Sequence, residues 1–195
     1  LEEAVRRGDI VWHALPFTMH SELADDALYR FGLSISARLD KKFKKHTVAA
    51  KLTDVPGHTR GIIAPLADAG IKMLHIGINS ASAMPDVPPV FRWRDARGNE
   101  ILVVYQKEYG ASLTVGKEEY VICMTGDNLG PHTPKQVKEI LARYPDAEVQ
   151  SATLDDLANA LLKRKDSYPV FTKEIGDTWI HGVGSDPKKV ADLRE

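Results

Sequence analysis

The side chains that could do chemistry in this chain gather in four short polar stretches, each following a run of apolar residues. The first is His13-Ala14-Leu15-Pro16-Phe17-Thr18-Met19-His20-Ser21-Glu22, and the second is Thr53-Asp54-Val55-Pro56-Gly57-His58-Thr59. The third is Asn79-Ser80-Ala81-Ser82, and the fourth is Gly126-Asp127-Asn128-Leu129-Gly130-Pro131-His132. Asp54 and Asp127, with His13, His20, His58 and His132, supply two carboxylates and several imidazoles, the raw material for metal-assisted or acid/base hydrolysis. Each motif also suits a plain turn, because an Asp side chain bonds readily to the backbone that follows it. What raises Asp54 and Asp127 above that reading is their shared place at the ends of strand-like runs.

The elements that would position these groups alternate in type. Ile10 to Leu15 reads as a strand, and a helix follows from about Ser21 with Leu23, Ala27, Leu28, Phe31, Ile35 and Leu39 on one face. His46 to Leu52 reads as the next strand, Thr59 to Ala69 as a short helix stopped by Gly70, and Lys72 to Ile78 as a third strand. Pro85, Pro88 and Pro89 then force an extended loop. Phe91 to Arg94 and Glu100 to Gln106 form a hairpin turning at Arg97-Gly98-Asn99, expected as an insertion over about 85–110. Glu119 to Thr125 resumes the buried-strand pattern around Cys123, read as a small buried hydrophobe. Thr133-Pro134 opens a helix to about Tyr144, Glu148 to Ala152 is a strand, and Thr153 caps a helix to Lys165. Alternating strands and helices predict one α/β domain over 1–195 with a mostly parallel sheet, open or closed into a barrel. Working groups of such folds sit at the carboxyl ends of the strands, where the four stretches fall.

Composition narrows the classes. With 26 basic and 27 acidic residues the net charge is −1, so there is no broad basic face for nucleic acid. The one basic run, Lys41, Lys42, Lys44 and Lys45, falls where a helix should end and is favoured there by the helix dipole. No apolar run is long enough to span a bilayer. A single cysteine leaves neither an internal disulfide nor a cysteine-based zinc site. His75, within the third strand, reads as a core histidine, and His46 as a solvated one. The chain opens at Leu1 rather than Met, so it is expected to be a piece of a larger protein, and neither compartment nor oligomeric state is legible.

Three segments in order carry a resemblance. Leu52-Thr53-Asp54-Val55-Pro56-Gly57-His58-Thr59 resembles the Ile-Asp-Pro-Phe-Gly-His-Ser signature of family 38 glycoside hydrolases, the zinc-dependent α-mannosidases; Asp, Gly and His keep their spacing while Pro-Phe becomes Val-Pro. Pro88-Pro89-Val90-Phe91-Arg92-Trp93, with the hairpin after it, is similar to that family's Pro-Pro-x-Phe-x-Trp segment. Thr125 to Thr133 is similar to its glycine-rich Gly-Asp-Gly-Gly-Gly-Gly-Pro-Thr loop, and Trp179 to Pro187 gives a weaker echo. The likeness is greatest to a group of uncharacterised bacterial relatives of these mannosidases. The family's His-x-Asp pair of zinc ligands has no counterpart here, and a further zinc-binding histidine of the family comes from a later part of its chain.

The resemblance implies an incomplete (β/α) barrel of the mannosidase and polysaccharide-deacetylase type, lacking its first strand. It implies a carbohydrate substrate and retaining hydrolysis, with Asp54 as both nucleophile and zinc ligand and Asp127 as acid/base. Retention asks for carboxyl groups about 5–5.5 Å apart. His58 would hold the strand-end loop or line the pocket. Trp93 and Trp179 are candidates for stacking on sugar faces, with core packing as the even alternative for Trp93. His181, in a glycine-flanked turn, ranks as a pocket residue. The resemblance implies zinc as the cofactor of the full-length protein. Two rivals stand beside this expectation: a polysaccharide-deacetylase-like hydrolase using metal-bound water, and a carbohydrate-binding protein without catalysis.

Overall fold

A computed structural model describes residues 1–125, 129–180 and 187–194. Its centre is a five-stranded sheet whose parallel heart comprises β1 (Ala49–Asp54), β2 (Met73–Ile78) and β4 (Glu100–Gln106). β3 (Val90–Arg94) runs antiparallel to β4, and the two-residue β7 (Val170–Phe171) pairs parallel with β3, giving the order β1-β2-β4-β3-β7. The class is α/β with a mostly parallel central sheet, as expected. Among the described residues the sheet is open, with no pairing that closes it into a barrel.

Two cores explain why the sheet is sandwiched. Alternate strand residues Ala50, Leu52, Leu74, Ile76, Ile78, Val103 and Tyr105 face helices α2 (Asp26–Phe43) and α3 (Ile63–Asp68) through Tyr29, Leu33, Ile63 and Leu66. The opposite set, Ala49, Met73, Leu102 and Val104, packs on α5 (Leu154–Leu162) through Leu157, Ala158 and Leu161. Every residue of β2 is buried, the composition of a central parallel strand covered on both faces. Asp155 ties α5 to the sheet by accepting the Val48 and Ala49 amides at 3.0 and 2.8 Å. Burial raises that carboxyl's pKa.

Several sequence expectations shift. The run Ile10–Leu15 forms no strand; Ala14 donates one backbone bond to Ala49, and the next β1 amide, Lys51, is taken by the His13 ring at 3.4 Å, so no ladder develops. In α2 the buried stripe is Tyr29, Gly32, Leu33 and Ser36, leaving Leu28 and Phe31 exposed. Asp25, not Ser21, caps that helix by accepting the Leu28 amide; Ser21 opens a separate 3-10 turn, Ser21–Leu23. The hairpin of β3 and β4 is antiparallel as expected but is no appendage, since β4 lies between β2 and β3 in the sheet. The segment after it pairs locally instead of entering the sheet: β5 (Ser112–Val115) and β6 (Glu118–Val121) make a separate two-stranded ribbon, and Cys123 is exposed. Glu148–Ala152, fully exposed, forms no strand. Helices α1 (Glu2–Arg7), α4 (Pro134–Leu141) and α6 (Pro187–Arg194) complete the described α-helices, and none of the described helices is long and apolar enough to cross a membrane.

Trp93 is one of the side chains that join the sheet to the segment around β7. It is wholly buried, and its indole N–H donates to the Lys173 carbonyl at 2.9 Å, while the neighbouring Phe91 meets Phe171 edge-on at 5.2 Å. No face of the indole is open to a sugar, so its expected stacking role gives way to core packing. Trp93→Ala should cost about 3–5 kcal/mol of stability. Urea unfolding would measure it, and hydrogen exchange should show residues 171–179 loosening more than β1 or β2.

Candidate functional site

The carboxyl ends of β1, β2 and β4 converge on one edge. There Asp54 closes β1 with φ at 83°, a left-handed conformation that costs a residue with a Cβ and that Asp tolerates better than most. Asn79, just beyond β2, fixes it twice: its backbone N–H donates to the Asp54 carbonyl at 2.9 Å, and its side-chain amide donates to Asp54 Oδ1 at 3.0 Å. The same amide reaches the Tyr109 hydroxyl at 3.1 Å. Asp54 is therefore a half-buried carboxylate oriented through one oxygen, with no hydrogen bond to Oδ2 among the described residues.

The chain then passes through Val55-Pro56-Gly57 into His58. Tyr105, from β4, donates its hydroxyl to the Pro56 carbonyl and holds this loop to the sheet. Gly57 is required by contact: a Cβ there would lie 1.6 Å from the Gly176 carbonyl oxygen. That approach seats the segment 174–179 on the edge, helped by Glu174, which accepts the Arg60 amide at 2.6 Å. It also brings in Asp177, whose side chain has no exposed surface. Asp177 Oδ1 accepts the Trp179 amide at 2.9 Å, and Oδ2 bonds His20 Nδ1. Trp179 donates its indole N–H to Ser82 Oγ at 3.1 Å and leans toward the His20 ring, with centroids 6.4 Å apart.

His58 is wholly buried behind this surface. Its Nδ1 meets Ser21 Oγ at 3.1 Å, and the same hydroxyl accepts the Thr59 amide at 3.1 Å. Among the described residues His58 Nε2 has no partner. Burial pushes its pKa down to about 4; the nearby Asp177 carboxylate pulls the other way and His20 reinforces the fall. Glu22 next to Ser21 is held above the usual carboxylate range, mainly by burial and then by Asp177.

The other face of the same strand ends carries a purely basic group. Lys51 Nζ lies 2.9 Å from His75 Nδ1 and donates to the Tyr109 carbonyl at 2.5 Å, and His75 Nε2 meets Gln106 Oε1 at 2.9 Å. Burial lowers Lys51 to about 8; burial and then the Lys51 charge lower His75 to about 3. His75 is the satisfied core histidine expected.

Of the expected site residues, Asp54, His58 and Trp179 share the edge, with His58 behind it as a loop anchor rather than a pocket wall. Trp93 belongs to the core. Asp127 and His181 lie outside the described residues. His132 sits in a separate hollow with Ile122, Met124, Gln136 and Tyr144. Sequence reasoning missed Asn79's grip on Asp54 and missed Asp177 altogether; the signal for the latter was Gly176-Asp177-Thr178-Trp179, a polar turn ahead of a tryptophan. Among the described residues no three His, Cys, Asp or Glu side chains converge as a metal ion would require, so Asp54 stands as a single candidate ligand. No model of a known family matches the chain, and no curated protein resembles it significantly.

The two depressed imidazoles set a pH dependence. Folded, His58 and His75 stay neutral down to about 4 and about 3, whereas in the unfolded chain they protonate near 6.5. Between those values the unfolded state binds more protons, so this stability is present above pH 6.5 and lost as the pH falls. The unfolding free energy from urea titrations should decline from pH 6.5 toward 4, by about a few kcal/mol in all. His58→Gln should decline less steeply than wild type, and equal slopes would remove His58 from the explanation.

Proposed function

We propose that this edge hydrolyses glycosidic bonds with retention of configuration, Asp54 acting as nucleophile. The observation that carries the reading is the Asp54 carboxylate itself: at the carboxyl end of a central parallel strand, in a left-handed conformation, with Asn79 orienting one oxygen. Backbone strain of this kind concentrates where a side chain must be aimed. A carboxylate aimed this way can attack an anomeric carbon, forming a glycosyl ester that water then cleaves. The half-exposed Trp179 ring on the same edge offers an apolar platform for a pyranose face.

The resemblance to family 38 enzymes supports the same chemistry and adds three expectations: that β1, β2 and β4 are an arc of a (β/α) barrel, that Asp127 moves the proton, and that zinc assists. When bound, zinc would polarise sugar hydroxyls; Asp54 is the one described residue that would hold it, and the proposed steps use no metal. A second reading is hydrolysis of an amide or ester on a sugar, as in polysaccharide-deacetylase-like enzymes. It is favoured by the pairing of His20 with a buried carboxylate, an arrangement suited to proton transfer.

Aryl α-mannosides and aryl acetates, offered to wild type and Asp54→Asn, separate these readings. The proposal expects mannoside hydrolysis that falls by roughly 10⁴-fold in the variant. Hydrolysis of acetate alone would favour the second reading. Sugar binding with no turnover of either would leave a carbohydrate-binding protein, and full mannosidase activity in Asp54→Asn would refute Asp54 as nucleophile.

A further inference from the structure

His20 and Asp177 are 157 residues apart in sequence, yet the imidazole and the carboxylate meet at the functional edge. The two partners are unequal in exposure. The Asp177 side chain is fully enclosed, while that of His20 is 36% exposed. Among the described residues no Lys or Arg forms an ion pair with Asp177, so His20 is its sole ionic partner. A carboxylate in that position fixes which ring nitrogen carries the proton, because Nδ1–H is the donor it can accept. The remaining nitrogen, Nε2, forms no hydrogen bond among the described residues, and the partly exposed ring that carries it lies beside Trp179. Trp179 is itself pinned by Asp177 and by Ser82, so the wall next to the imidazole is fixed rather than loose.

We propose that His20 is the proton-transfer catalyst of this edge and that Asp177 is its positioning residue. The inference rests on the hydrolytic reading given above and deepens it by moving the proton step from Asp127 to His20. In the first half-reaction Asp54 bonds to the anomeric carbon as the glycosidic C–O bond breaks, and protonated His20 gives its Nε2 proton to the leaving oxygen. In the second, neutral Nε2 takes a proton from water as that water's oxygen bonds to the anomeric carbon and the Asp54 ester breaks. The sugar leaves with a new hydroxyl, the Asp54 carboxylate is restored, and His20 is again protonated. Throughout, Nδ1–H remains with Asp177.

Leaving-group dependence and ring tautomer test this together. Wild type, His20→Gln and Asp177→Asn are compared on a dinitrophenyl glycoside, whose leaving group needs no proton, and on an unactivated phenyl glycoside, whose leaving group does. His20→Gln should lose about 10²–10⁴-fold in kcat/KM on the phenyl glycoside and only a few-fold on the dinitrophenyl one. Asp177→Asn should show the same pattern more weakly. Nitrogen-15 NMR of the free protein should find neutral His20 protonated at Nδ1 in wild type, shifting toward Nε2–H in Asp177→Asn. Equal losses on both glycosides, or Nε2–H in wild type, would overturn the proposal. A wild type inert toward every glycoside would sink the glycosidase reading instead, and the tautomer, which needs no substrate, would still decide for or against the dyad.

Discussion

The arrangement of the candidate edge depends on one close contact between backbones. Gly57 lies so near the Gly176 carbonyl that no side chain could stand between them. Without that approach the loop leaving β1 and the segment 174–179 could not share the edge. Asp54 would then face a strand end without Asp177, Trp179 or a fixed His20. The contact is supported from both sides. Tyr105 holds the Pro56 carbonyl from the sheet, and Trp93 and Glu174 hold the incoming segment at Lys173 and Arg60. A core tryptophan, a strand tyrosine and a glycine without room for a methyl thus act on one arrangement, although none of them touches a substrate.

Burial divides the polar groups around this contact into two kinds. Those that are enclosed, such as His58, His75 and Lys51, are driven toward their neutral forms, because a buried charge without a counter-charge is costly. Those that remain partly open, Asp54 and His20, are held by neutral or anionic partners that orient them. Orientation without enclosure is what proton transfer and nucleophilic attack require, and the enclosed groups supply the rigid backing. The strain at Asp54 fits this division. A left-handed aspartate is tolerated because Asn79 fixes both its carbonyl and its carboxylate, so the backbone distortion is matched by bonds that also aim the side chain.

Much of the scaffold was legible in the sequence, because β1, β2 and the two strands of the β3–β4 hairpin are short runs rich in apolar residues, alternating in β3 and nearly continuous in β4, bounded by turn residues. The same local pattern misled where a long-range competitor decided the outcome. The run at Ile10–Leu15 lost its ladder to the His13 ring, and of the expected strand Glu119–Thr125 only the part to Val121 pairs, with its own hairpin partner rather than with the sheet. Trp93 and Trp179 illustrate the limit for site residues. Local sequence does not separate them: Trp93 is buried within the sheet beside β7, whereas Trp179 is held half open by its bonds to Asp177 and Ser82. Asp54 and His58 were legible as strand-end candidates because they stand in one short segment of the sequence. Asp177 was not, since its meaning comes from a partner 157 residues away.

Trapping the covalent intermediate tests the role of Asp54 most directly. The protein would be incubated with an activated fluoro-mannoside, which slows hydrolysis of a glycosyl ester more than its formation, then digested with trypsin. Cleavage after Lys51 and Arg60 releases residues 52–60, a peptide whose only carboxylate side chain is Asp54. This peptide alone should gain the mass of the fluorinated sugar. A label on any other peptide, or turnover of the parent glycoside with no label at all, would contradict that role.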